Sequence, residues 1–209
     1  MDSILTVTTP ATGTGFDLTS VADVKADLDI TASTWDTLLG RYVTEASIAI
    51  ANTCGRVFAK ETVSEMFRRP PAPDVLMLRR YPVVSIAAIY ENGSATPLAG
   101  ADYEVDKAAG LLFRLSGDRR TCWTAEKVVV AYEGGYALPA SAPADLQKAA
   151  RILVKGQWVA RKRDPALRSE KVEDVGEKVY WVGNIPGAGD AWPAEVEELL
   201  ASYHDARVP

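Results

Sequence analysis

The chain has 209 residues, 47% of them hydrophobic and 24% charged, which fits one domain, or one domain with an inserted lobe, that buries its own core without metal or disulfide staples. Its net charge of −5 and pI of about 5.0 exclude a protein that grips nucleic acid, because displacing phosphate counterions needs a surplus of Lys and Arg. An acidic surface is still compatible with DNA that slides past without sticking.

Met1-Asp2-Ser3-Ile4 has no basic start and no long apolar run, so a signal peptide is not expected. Residues 1–17, rich in Thr, Gly and Ala, read as an extended arm. Thr19 or Ser20 can cap a short helix, with Asp23 three residues after Ser20 as in a capping box. A longer helix is predicted over 33–54. Trp35, Leu39, Val43, Ala46 and Ile50 line one stripe, small residues beside them allow close helix approach, and Gly55 ends it.

The pattern then changes. Short β-branched or aromatic runs at 62–69, 75–80, 83–90, 103–106, 110–115 and 127–132 alternate with turn signals. Asn92-Gly93 between apolar runs is a hairpin signal, since both residues of such a turn take positive φ. Helix returns at 143, with Pro143 at its first position, Asp145 in its first turn, and Leu146, Ala150, Leu153, Val154 and Trp158 on its buried face. The cations Arg161-Lys162-Arg163 suit its C-terminal end. Residues 166–192 read as loop around the apolar island 179–182, and a last helix is predicted from Pro193 to Asp205. No run reaches the roughly 20 apolar residues that span a bilayer.

This order predicts an α+β fold: a helical bundle body with an inserted antiparallel β lobe and an extended C-terminal arm ending in a helix. The divisions are 1–60 for the arm and helices of the body, 61–135 for the lobe, 136–165 for the long helix that completes the body, and 166–209 for the C-terminal arm and helix.

The chain offers little to catalysis. His204, the one histidine, sits six residues from the end, without a nucleophile in a recognisable relation to it. Cys54 and Cys122 form no CxxC pair and, with one histidine, no zinc cluster; both read as buried small apolar residues in a reducing cytoplasm. Asp102, Glu104 and Asp106 alternate on one strand face, where solvent is the ordinary neighbour and a carboxylate-dependent hydrolase the competing reading. Gly134-Gly135 follows a strand and precedes a helix but lacks GxGxxG and a P-loop Lys, so it reads as a turn out of the sheet. The pairs Arg68-Arg69, Arg79-Arg80 and Arg119-Arg120 read as solvated faces or as contacts for an acidic partner. Tyr180, Trp181 and Trp192, flanked by Gly and Pro breaks, have the composition of interface anchors.

Three segments together resemble a known family. They are Arg80-Tyr81-Pro82-Val83-Val84-Ser85-Ile86, then Asp102 to Asp106, then Gly110-Leu111-Leu112-Phe113-Arg114-Leu115. With Val128 to Tyr136 followed by Pro139, Pro143 and Asp145-Leu146, they look like the head–tail connector (adaptor) proteins of tailed phages, also found in prophages and gene-transfer agents. Cys54-Gly55-Arg56 and Ser169-Glu170-Lys171-Val172 fit the same family, and the resemblance covers about residues 18–182. The segment from Asn184 to Pro209 is longer than in compact members.

The resemblance implies a structural subunit of the virion neck, assembled in the host cytoplasm, without enzymatic activity, cofactor or metal. It implies a homo-oligomeric ring of twelve copies beneath the portal protein, docking a stopper or tail-completion protein, with DNA passing through the lumen and no membrane involved. Residues 165–209 are then expected to meet the portal through Arg168, Tyr180, Trp181, Trp192 and Tyr203. A stopper or tail-completion protein of the same neck is the alternative.

Overall fold

The computed structural model describes residues 3–68, 73–161, 169–172, 176–179 and 192–204. The fold is α+β, with every strand pairing between named strands antiparallel. The chain divides into two compact units, residues 1–16 with 56–141, and residues 17–55 with 142–209.

The first unit is the β unit. One sheet runs β1 (Ser3–Thr9), β2 (Glu61–Arg68), β8 (Lys127–Gly134), β4 (Val83–Glu91). The other runs β3 (Val75–Met77), β6 (Leu111–Ser116), β5 (Tyr103–Asp106), with β7 (Arg119–Thr121) also bonded to β6. Burial alternates strictly along β2 and β8, the period-two signature of strands with one face in a core. Val63, Phe67, Leu76, Ile89, Leu112, Trp123 and Val130 meet there.

The unit is wider than the expected 61–135. The N-terminal stretch, expected to belong with the helices, pairs with β2 from Ser3↔Phe67 to Thr9↔Thr62. Its β-branched run Ile-Leu-Thr-Val-Thr-Thr suits a pleated surface, and Leu5 packs against the core. Asn92 and Gly93 do take positive φ, 52° and 77°, and Ser94 N–H closes the turn on Glu91 O at 2.9 Å. They do not join two paired strands, however: β4 pairs with β8, while β5 lies in the other sheet. The loop instead returns along β4, with Leu98 N–H donating to Ile89 O at 2.8 Å.

Two buried carboxylates of this unit, Glu61 and Glu65, belong to one network. Glu65 is fully buried. It accepts hydrogen bonds from the Tyr132 hydroxyl at 2.7 Å, from Arg79 N–H at 3.0 Å and from the Ser3 hydroxyl. Tyr132 Oη accepts from Arg80 N–H at 3.0 Å, and Arg80 Nε donates to Glu61 at 2.8 Å. Burial, and then the Glu65 charge, push the Tyr132 hydroxyl well above the ordinary phenol range. Arg80 is therefore part of a nearly buried ion pair, not the solvated face expected of it.

The second unit holds the helices α1 (Val21–Asp27), α2 (Asp36–Cys54), α3 (Ala144–Ala160) and α4 (Ala194–Leu200). Val24, Leu39, Val43, Ala46 and Val154 form its core, with Leu28, Leu153 and Trp158 packed against them. Ser20 caps α1: its Oγ accepts Asp23 N–H at 3.1 Å and donates to the Asp23 carboxylate at 2.6 Å. Gly55 ends α2 in the left-handed region, at φ 66°. Leu18 N–H donates to Ser47 Oγ at 2.9 Å, Ser47 donates to Val43 O at 2.7 Å, and Thr44 donates to Asp17 at 2.9 Å. Within the stretch expected to be loop, β9 (Ser169–Val172) and β10 (Gly176–Val179) pair with each other. The last helix is shorter than expected and gives way to a 3₁₀ turn over Ala201–Tyr203.

Candidate interaction site

At the C-terminal end, α4 packs on α3. Val196 and Leu200 are fully buried, and Lys148 reaches Glu195 at 2.7 Å. That contact holds the Lys148 ammonium above its ordinary range. Pro193 opens the helix with its carbonyl accepting Val196 N–H at 2.8 Å. Beside α4 lies an open cavity of about 300 Å³ lined by Thr53, Trp192, Glu197, Leu200 and His204. It joins an aromatic face and an aliphatic floor to one carboxylate and one imidazole, a lining able to receive an apolar side chain with a polar tip.

Two of the expected contacts fall here. Trp192 lines the cavity, and Tyr203, half-buried, stands in the 3₁₀ turn that follows α4. Arg168, Tyr180 and Trp181 lie outside the described residues. His204, exposed to solvent, lines the same cavity; periodicity alone gave no sign of the cavity.

A second aromatic group stands at the start of α2 and the end of α3. Trp35 and Trp158 were expected on buried helix stripes. They meet edge to face, ring centroids 5.4 Å apart, and Trp35 keeps 39% of its surface exposed. The Arg161 guanidinium lies 3.2 Å from the Trp158 centroid and 4.9 Å from that of Trp35. The available signal was Arg161 three residues after Trp158, one helical turn away.

The other sequence candidates have structural duties. Asp102 lies 3.7 Å from Arg114, Glu104 pairs with Arg120 at 2.9 Å, and Asp106 accepts the N–H groups of Ala108 and Ala109 at 3.0 and 3.1 Å. Among the described residues no group of three His, Cys, Asp or Glu side chains could hold a metal ion. Cys54 is buried as expected, whereas Cys122 is only half-buried and its thiol donates to Asp74 at 3.0 Å.

The Gly134-Gly135 turn is occupied by the protein's own backbone. A Cβ on Gly134 would fall 2.2 Å from Arg80 O, and one on Gly135, where φ is 104°, 2.2 Å from Ala59 O. The glycines allow segments to cross at backbone contact distance. Lys60 N–H donates to Tyr136 O at 2.9 Å and Tyr136 N–H to Phe58 O at 2.8 Å, which leaves no cradle for a phosphate.

Residues 17–169 match the family model described as head completion protein. The fold is shared with a chain in the neck of a native GTA particle computed with C12 symmetry, at 20% identity over 98% of this chain and 97% of that one, TM-score 0.57. It is shared too with a chain in the neck of an empty GTA particle computed with C6 symmetry, at 18% identity over 99% and 97%, TM-score 0.59. A chain in the virion of a native gene transfer agent particle matches at 20% identity over 99% and 97%, TM-score 0.58. No curated protein matches.

Proposed function

The chain belongs to the head completion protein family, and from that premise we propose that it is a structural subunit of the neck of a phage or phage-like particle, forming a ring beneath the portal. The observation that carries this reading is the family match over 17–169, supported by a fold shared along nearly the whole chain with proteins of GTA necks. In this reading twelve copies close a ring, the helical unit is its body, DNA passes through the lumen, and a stopper or tail-completion protein docks on the far side. The subunit is not an enzyme and carries no cofactor; it assembles in the bacterial cytoplasm and ends in the virion. An acidic chain of net charge −5 suits a channel through which DNA slides.

Residues 165–209 dock on the portal in this reading, with Arg168, Tyr180, Trp181, Trp192 and Tyr203 as contacts. Val196 and Leu200 are buried, so removing the whole segment would also open the helical core. The cleaner variant is Trp192→Ala with Tyr203→Ala. It should retain its helical signal and lose about tenfold or more in affinity for isolated portal. Full affinity in a pull-down would sink the contact assignment. Electron microscopy of the protein mixed with portal tests the placement: a ring stacked directly on portal is expected, whereas a stopper would bind only after another neck protein.

A further inference from the structure

The second sheet of the β unit ends in strands of opposite charge. β5 pairs only with β6, and so does β7, so each leaves one backbone edge unpaired among the described strands. On the β5 side stand Asp102, Glu104 and Asp106. On the other side β7 is Arg119-Arg120-Thr121, exposed throughout. The two charged stretches overlap in level along β6: Arg120 is opposite Leu115, while Tyr103, the residue after Asp102, is opposite Arg114. Both strands run antiparallel to β6, so they are parallel to each other.

Charges on edge strands ordinarily keep sheets from pairing at random. Here the signs differ between the edges, which changes the outcome. Two acidic edges repel, as do two basic edges, whereas an acidic edge and a basic edge attract. The isologous pairing that would give a twofold dimer is disfavoured. The contact left open is head-to-tail, the kind that closes into a ring when its rotation permits.

We propose that β7 of one copy docks beside β5 of a second copy, extending the sheet across the boundary, with Arg120, which shares a sheet face with Glu104, meeting the Asp102, Glu104 and Asp106 edge. This rests on the ring reading above and adds the contact that would close it. The bonds within one copy do not forbid it. The Arg120–Glu104 pair is exposed on both sides, with 58% and 51% of the side chains accessible, so it can be shared or exchanged at small cost. Arg119 is exposed at the outer end of the strand.

The test is a charge swap between copies, using the full chain. Arg120→Glu reverses the cation that meets the acidic edge, and Glu104→Lys reverses a carboxylate on that edge. Each variant alone should lose about tenfold or more in self-association by sedimentation at low salt, and should leave incomplete rings on portal. An equimolar mixture should recover both, because an alternating ring of even number restores attraction at every boundary. Added salt should weaken the wild-type contact. Glu104→Gln, which removes the charge without reversing it, should fall between, and unchanged thermal unfolding confirms that the variants fold. Variants that associate like wild type would overturn the proposal, as would a mixture that fails to recover. If the swap rescues self-association while no ring forms on portal, the edge contact stands and the portal placement falls.

Discussion

The two units solve the problem of buried polar groups differently. In the β unit a fully buried carboxylate, Glu65, gathers donors from three separate strands and loops: Ser3, Arg79 and Tyr132. In the helical unit the buried polar groups act in small separate sets, each tying the segment before α1 to α2. Ser47 bridges Leu18 N–H to Val43 O, and Asp17 accepts one bond from Thr44. A sheet assembled from strands distant in sequence gains register from a group that several of them must satisfy together. A set of helices, whose backbone bonds are internal, needs polar groups only to tie down its connections.

That contrast can be broken, and the largest effect is expected at Glu65. Glu65→Ala strands the buried Tyr132 hydroxyl and should cost about 3 kcal/mol, read by denaturant unfolding. A loss under about 1 kcal/mol would mean that the network is decoration on an apolar core. Ser47→Ala comes next. It orphans Leu18 N–H in a buried site and should cost about 1–2 kcal/mol; hydrogen exchange should quicken at Leu18 and leave Glu65's neighbours untouched. The smallest effect belongs to Asp17. Burial raises its carboxyl above the ordinary range against the opposing Thr44 hydrogen bond. The folded chain therefore holds this proton more tightly than the unfolded one, so the stability from this group is full in acid and is lost as pH rises through the folded-state value. Asp17→Asn, which keeps an acceptor for Thr44, should equal or exceed wild type at neutral pH by no more than about 1 kcal/mol. The difference should vanish in acid; a variant clearly weaker at neutral pH would show that the charge is wanted.

What the sequence disclosed follows the range of the interaction concerned. The stripe of α2, its end at Gly55 and the cap at Ser20 depend on neighbours within a few residues, and they were legible. So were the main strands and the positive φ of Asn92 and Gly93. Partnership was not legible. Nothing in Ser3–Thr9 states that its mate is sixty residues away, and nothing in Asn92-Gly93 states that the strands on either side belong to different sheets. The same limit governed the candidate site. Trp192 was recognised by type, but the cavity that joins it to Thr53 and His204 exists only once α2 and α4 are folded. Trp35 and Trp158 lay on apolar stripes, where periodicity says core, and only packing shows one of them exposed.

The crossing at Gly134-Gly135 has a consequence for how this chain can be rearranged. Phe58 and Lys60 are hydrogen-bonded to Tyr136, so an excursion of nearly eighty residues leaves and returns through the same point. The entropy of closing that excursion grows only slowly with the number of residues it encloses. The Tyr136 bonds thus hold the two ends of the strand-bearing segment together whatever lies between them. The N-terminal strand is stitched into the segment from outside, so a lobe grafted on the same footing would have to bring its own replacement for β1.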